Sequence, residues 1–285
     1  MILITGATGT IGRAVLARLQ RTNEPIRALA RDTARIPATT GVQAVQGDFA
    51  DAASLESAVA GVRAVFLLTP GGPASGPADR AVVTASQRAG VVKVVKLSSI
   101  GAGAAFTAGA DWHAEGEDAV RASGLAWTLL RPSAYDSNAL RWAPAIRAGK
   151  PIPNLTGVAT QGVIDPRDIA EIAVRALTTD DHDGHTYTLT GPELLSTADQ
   201  VRQLGEMLGR TIATVEVPLG VAHQQMLDSG MDTDVADATI RGLSTIKAGH
   251  NAVLTNDIER ILKRPPVSFR TWADDHRANF ETGAP

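Results

Sequence analysis

Three glycines at intervals of three, Gly6-Ala-Thr-Gly9-Thr-Ile-Gly12, follow the apolar run Ile2-Leu3-Ile4 and precede Ile11, Val15 and Leu19 at helical spacing. A chain that passes from strand to helix in so few residues needs backbone free of side chains. Gly6 permits the tight turn, Gly12 lets helix and strand pack closely, and Gly9 lets the backbone approach a ligand. The order strand, glycine turn, helix predicts a pyrophosphate seated on the helix N-terminus, where amide donors and the helix dipole favour anions. Thr8, Thr10 and Ile11 complete the turn and are assigned with Gly6, Gly9 and Gly12 to a dinucleotide site. The competing reading is a glycine-rich turn without a ligand.

The same rhythm continues along the chain. Ile26 to Ala30, Val42 to Val45, Ala64 to Leu68 and Val91 to Leu97 read as further strands, with helical patterns at Ser54 to Val59 and Ala81 to Ala89. Alternation of this kind implies a parallel sheet covered on both faces, a Rossmann-type doubly wound α/β fold. Ala126 to Leu130 is a sixth strand, expected to stop at Arg131-Pro132 because proline cannot donate to a ladder. The regular rhythm then ends. Asp168 to Leu177 and Ala198 to Leu208 (closed by Gly209) read as helices, Thr186 to Leu189 and Thr211 to Val217 as strands, and the chain from Leu219 as mostly short helices. The expected division is residues 1–135 with about 160–192 as the nucleotide domain, and 136–159 with 193–285 as a smaller, interleaved substrate lobe.

Composition narrows the function classes. A formal net charge of -3 gives no electrostatic reason for a nucleic-acid partner. The absence of cysteine excludes disulfides, thiolate nucleophiles and Cys-based metal sites. No apolar run approaches the ~20 residues of a membrane span, and Met1 enters the glycine motif with no basic leader, so a cytoplasmic protein is expected.

The end of the second strand distinguishes two cofactors. A carboxylate there would bond the ribose of NAD, whereas Leu29-Ala30-Arg31-Asp32 offers a guanidinium, which suits a 2′-phosphate. NADP(H) is the expected cofactor; the alternative leaves Arg31 solvated at a strand end, with Asp32 capping a turn. Asp48, within Gly47-Asp48-Phe49, is a candidate acceptor for the adenine amino group or else a turn cap, and Phe49 is placed beside it. Leu68, Thr69 and Pro70 end the fourth strand and should face the cofactor. Ser98 and Ser99 end the fifth, where they either reach ligand or cap a turn.

Together the glycine motif, Arg31, Gly47-Asp48-Phe49 and Ser98-Ser-Ile-Gly101 resemble the NmrA-like group of atypical short-chain dehydrogenases. Thr128-Leu-Leu-Arg-Pro132 through Asn138, Asp165-Pro-Arg-Asp-Ile-Ala170 and Tyr187-Thr-Leu-Thr-Gly-Pro192 look like that group's later markers. The resemblance covers nearly the whole chain. It implies an NADPH-dependent quinone reductase, a reductase of secondary metabolites, or a catalytically silent redox sensor that acts through a protein partner.

One departure from ordinary short-chain dehydrogenases bears on the chemistry: the Tyr-x-x-x-Lys pair is missing. In the corresponding stretch His113 and Glu117 stand four apart, on one face of a predicted helix. They read as a proton donor near neutral pH oriented by a carboxylate, or as a surface pair without chemistry. Glu115 reads as solvated. Tyr135 and Asn138 are candidates for the substrate pocket, with core packing the alternative for Tyr135. Trp112 and Trp142 are stacking surfaces or apolar anchors. His182 and His185 bracket an acidic turn that reads as a solvated loop, and no metal site is expected.

The expected activity is hydride transfer from NADPH to a flat, conjugated acceptor, a quinone or a polycyclic aromatic metabolite. Positioning over the nicotinamide suffices there without an activated tyrosine. The alternatives are the redox sensor and a reductase of an imine, an enone or a benzylic ether, for which a proton donor matters more.

Overall fold

The computed structural model of the chain describes residues 1–37, 41–103 and 112–281. β1 (Ile2–Ile4) has no exposed side chain, and the glycine turn releases the chain into α1 (Thr10–Leu19), which buries Ile11, Val15, Leu16 and Leu19. β2 (Ile26–Ala30), β3 (Val42–Gln46), α2 (Ala52–Val59), β4 (Ala64–Leu67), α3 (Ser75–Arg88) and β5 (Lys93–Leu97) follow. Then come α4 (Ala114–Arg121), β6 (Ala126–Pro132), α5 (Ala143–Arg147), β7 (Ile152–Asn154), α6 (Pro166–Thr178) and β8 (His185–Leu189). The last elements are α7 (Thr197–Leu208), β9 (Thr214–Glu216), α8 (Leu219–Asp228), α9 (Thr233–Lys247), α10 (Asp257–Leu262) and α11 (Phe269–Asp275).

The chain divides into two compact units. The first takes the described residues up to Pro132 and Pro166–Thr188; the second takes Ser133–Asp165 and the described residues from Leu189. The first holds a seven-stranded sheet in the order β3-β2-β1-β4-β5-β6-β8. Its pairs from β1 to β6 are parallel, with Ile4 opposite both Ala28 and Phe66. Helices α1 and α6 pack together, as do α2, α3 and α4 in succession, so the sheet is doubly wound. The strand order reverses between β1 and β4, and in such sheets the crevice beyond the carboxyl ends of the strands at that switch point takes the ligand. Leu3, Val65, Leu67, Val94 and Leu129 form the centre of one apolar core.

The second unit has its own core, in which Phe269, Trp272 and Phe280 pack with Ile146, Ile152, Val201 and Leu204. β7 and β9 form a two-stranded parallel sheet. Ser196 and Asp199 close a reciprocal capping box at the start of α7, and Gly209 ends that helix in the left-handed conformation at φ 68°.

Several elements depart from their sequence patterns for local reasons. β6 does not stop before Arg131-Pro132 but runs through both. Its register against β5 ends at Leu97 opposite Leu130, so Pro132 lacks an N–H at a place where β5 asks for none. α3 begins at Ser75, not Ala81, with Pro77 inside its first turn, where a missing N–H is harmless. β5 begins at Lys93 because Val92 is 64% exposed, outside the sheet. β9 is limited to three residues by its three-residue partner β7. The end of the chain is mostly short helices, as its pattern suggests, with α9 the exception at 15 residues.

Candidate functional site

The glycine turn is shaped by contacts that only glycine admits. Gly6 sits at φ 62°, and a Cβ there would stand 2.7 Å from the Leu68 side chain and 2.9 Å from its carbonyl oxygen. At Gly12 a Cβ would fall 2.1 Å from the Gly6 carbonyl oxygen. Gly9, the N-cap of α1, differs: a Cβ there would meet only the Gly6 oxygen, at 3.4 Å. The space beside it is open, α1 has no side-chain cap, and its first turn carries no acidic residue. Its leading amides therefore face outward in a positive end field with Thr8, Thr10 and Ile11 around them. Thr10 is exposed and Ile11 is buried.

One residue past β2, Arg31 is exposed and lines a cavity of about 330 Å³ with Gln46, Gly47, Asp48, Asp51 and Ser54. Two carboxylates share this cavity, yet each spends an oxygen on backbone amides. Asp48 accepts from Ala50 N at 2.9 Å, the turn-capping role, and Asp51 caps α2 through Ala53 N and Ser54 N. Asp32 caps its own short turn through Ala34 N, which leaves the guanidinium of Arg31 as the cation of the cavity lining. Phe49 is half-buried against the core of the first unit.

At the carboxyl ends of β4, β5 and β6 the polar side chains turn inward. Thr69 is buried and donates its hydroxyl to Asp79 Oδ1 at 3.0 Å. Leu68 lies against Gly6, and Pro70 is exposed. Ser98 is buried and donates to Glu117 Oε1 at 2.5 Å. Ser99 caps the turn after β5, accepting from Gly101 N.

Glu117 faces inward from α4. Its carboxylate, 1% exposed, receives Arg131 Nε at 2.8 Å and Nη2 at 2.5 Å, Arg121 Nη2 at 2.8 Å and the Ser98 hydroxyl. Two guanidinium groups and a hydroxyl hold its carboxyl below the usual carboxylate range against the opposing effect of burial. His113 is the N-cap of α4, and its carbonyl accepts from Glu117 N. Burial first, and the positive charge of Lys96 second, push the imidazole down to about 4, with Glu117 pulling the other way. His113 is therefore neutral near neutral pH.

The remaining candidates are distributed as follows. Trp112 is half-buried, its ring 3.8 Å from the Cβ that Gly71 lacks. Tyr135 lies in the second unit, bridged to Ile164, and burial pushes its phenol up to about 12. Asn138 is exposed nearby in sequence, its N–H bonded to the Tyr135 carbonyl. Trp142 packs against the core of the second unit. Glu115 is paired with Arg80 at the surface. Asp180 and Asp183 both reach Lys93 Nζ at 2.8 Å, while His182 bonds Tyr187.

Three charged residues here escaped the motifs, Asp79, Lys96 and Arg121, while Arg131 stood in the Thr128–Pro132 marker without an assigned role. Lys96 had a visible signal, a lysine inside Val94-Val-Lys-Leu97, a run otherwise typical of a central strand. It is 0% exposed and reaches Asp79 Oδ2 at 2.5 Å.

Comparison with known proteins supplies the family. A model described as NAD(P)H-binding matches residues 6–180. A (4-alkanoyl-5-oxo-2,5-dihydrofuran-3-yl)methyl phosphate reductase of Streptomyces griseus is 37% identical over 98% of this chain and 99% of its own. An NAD(P)H azoreductase of Xenophilus azovorans is 35% identical over 98% and 99%. Among solved structures, an NADPH-dependent quinone oxidoreductase of Escherichia coli, in complex with NADPH, superposes with a TM-score of 0.86 at 25% identity, covering 97% of this chain and 100% of that one. Among the described residues no helix is long and apolar enough to cross a membrane. With the glycine turn, the doubly wound sheet and these relatives in agreement, the chain belongs to the NAD(P)H-binding family, as a reductase of the NmrA-like, atypical short-chain kind.

Proposed function

We propose that this chain reduces a conjugated acceptor of the quinone type and prefers NADPH over NADH. The residues present fit a dinucleotide: open space beside Gly9, outward amides on α1, and Arg31 in a cavity at the end of β2 suited to a 2′-phosphate. When bound, the dihydronicotinamide supplies the hydride. The chain's own residues supply position more than acid. Glu117 is locked by Ser98, Arg121 and Arg131, and His113 is neutral near pH 7, so neither offers a ready proton there.

The neutral state of His113 carries this reading. A quinone takes hydride to give a stabilised phenolate, which collects its proton from water afterwards. A ketone or imine generates a far more basic atom and needs a donor during the transfer. The acceptors named for the similar proteins, a quinone, an azo compound and an alkanoyl dihydrofuranone, are conjugated as well. Tyr135, Asn138 and Trp112 are the proposed acceptor contacts. Steady-state NADPH consumption with simple and polycyclic quinones, beside a ketone and an imine, tests the assignment. Quinone turnover with little ketone turnover is expected. Intact NADPH binding with no turnover of any acceptor would instead indicate a redox sensor working through a protein partner.

A further inference from the structure

Asp79 and Lys96 are both fully buried, 2.5 Å apart, one on α3 and the other on β5. Two charges removed from water carry a desolvation penalty that their attraction rarely exceeds, so an apolar pair of similar volume usually serves the fold at least as well. The pair therefore calls for a role other than stability. Its surroundings suggest one. α4 is seated directly on the Asp79 carboxylate: a Cβ at Gly116 would fall 1.9 Å from Asp79 Oδ2. The facing helix makes the same concession, since a Cβ at Gly76 would fall 1.9 Å from Glu115 Oε2. Two glycines on α3 and α4 thus bring the first turn of α4 onto the ion pair. Asp79 supplies negative charge to a helix start that has no side-chain cap. Thr69 fixes the other carboxylate oxygen.

We propose that Lys96 and Asp79 are a positioning pair for the candidate site, anchoring the first turn of α4 and with it His113, the N-cap residue of that helix. This rests on the reading of the site as a reductase. The charges that act on His113 are Lys96 from β5 and Glu117 on α4 itself; Lys96 is paired with Asp79 from α3, and Glu117 with Arg131 from β6 and Arg121 from α4. Glu117 is compensated by its two arginines, and Asp79 by Lys96. A proton on His113 would add a further positive charge to a balanced cluster, and Lys96 is the cation that opposes it.

The test compares the parent with Lys96→Met and with the paired variant Lys96→Met/Asp79→Leu. The single variant leaves a buried carboxylate without its cation and is expected to unfold readily. The paired variant removes both charges, keeps the volume apolar, and is expected to fold and to bind NADPH within about threefold of the parent. The imidazole titration of His113, followed by NMR and assigned by its loss in His113→Gln, should shift by about half a pH unit or more in the paired variant, because an α4 start no longer seated on the ion pair changes the burial and the charges that the ring meets. An unchanged His113 titration in the folded paired variant would overturn the proposal. So would failure of that variant to fold, because the pair would then be serving the fold itself. The titration needs no turnover, so absence of reductase activity would sink the functional reading and leave this result standing.

Discussion

Ser98 donates its hydroxyl to the same Glu117 oxygen, Oε1, that Arg131 holds through Nε, at 2.5 Å and 2.8 Å. A carboxylate so held is depressed in the folded state, so the stability it confers is present above its ordinary range and lost as the pH falls through the lowered value. Glu117→Gln would leave Arg131 and Arg121 facing a neutral amide. The expected loss at pH 7 is about 3 kcal/mol, the low end for breaking a buried pair, because Arg121 keeps partial contact with water. Urea unfolding at pH 7 and below pH 4.5 measures both effects: the gap between parent and variant should narrow on acidification. A gap that stays constant would mean that the carboxylate's charge is not what holds β5, α4 and β6 together.

The three glycines of the turn should fail in different ways. Gly9→Val places its branch in open space, so the variant is expected to fold with close to parental thermal stability yet lose NADPH binding. Gly12→Ala drives a methyl group into the Gly6 carbonyl and is expected to lower stability by about 1–3 kcal/mol. Thermal melts beside fluorescence titration with NADPH separate the two outcomes. Parental NADPH affinity in Gly9→Val would reduce the turn to a structural one.

Arg31 should decide between the two nicotinamide cofactors. Its loss removes a charge-assisted contact of about 1.5–3 kcal/mol, which corresponds to about 10- to 100-fold in affinity. Arg31→Ala is therefore expected to weaken NADPH by that factor and leave NADH nearly unchanged. Equal effects on both, or none on NADPH, would contradict the assignment of Arg31 to the 2′-phosphate.

What the sequence made legible was the periodic part. Strand-turn-helix alternation and the glycine spacing carry the doubly wound sheet because period and glycine placement are local properties. The buried charges are another matter. Glu117 was visible by its distance from His113 along the chain, but its partners Ser98 and Arg131 come from β5 and β6 and meet it only in the folded sheet. Lys96 was read as part of a strand without regard to its charge, since nothing local says that α3 will bring Asp79 to it. The inward turn of the Thr69 hydroxyl has the same origin: its partner lies a loop and a helical turn away.

His113 tests the chemistry most directly, since its imidazole is depressed to about 4. For a base with a lowered pKa the cationic form appears only on acidification, so the imidazolium fraction is small at pH 7 and grows toward pH 4. If the site works by positioning, His113→Gln should change kcat for quinones by less than about threefold, and the quinone profile should be flat through this range. This bound lies well under the 10²–10⁴-fold of a positioned general acid. A ketone or imine needs the proton during hydride transfer, so its slow reduction should accelerate as the pH falls from 6.5 toward 4, and His113→Gln should abolish that rise. Rates for both acceptor classes across this range, corrected for the acid decomposition of NADPH, provide the measurement. A large loss with quinones at pH 7 would show that neutral His113 does more than stand beside the acceptor, and the positioning account would have to give way to one in which this imidazole handles a proton.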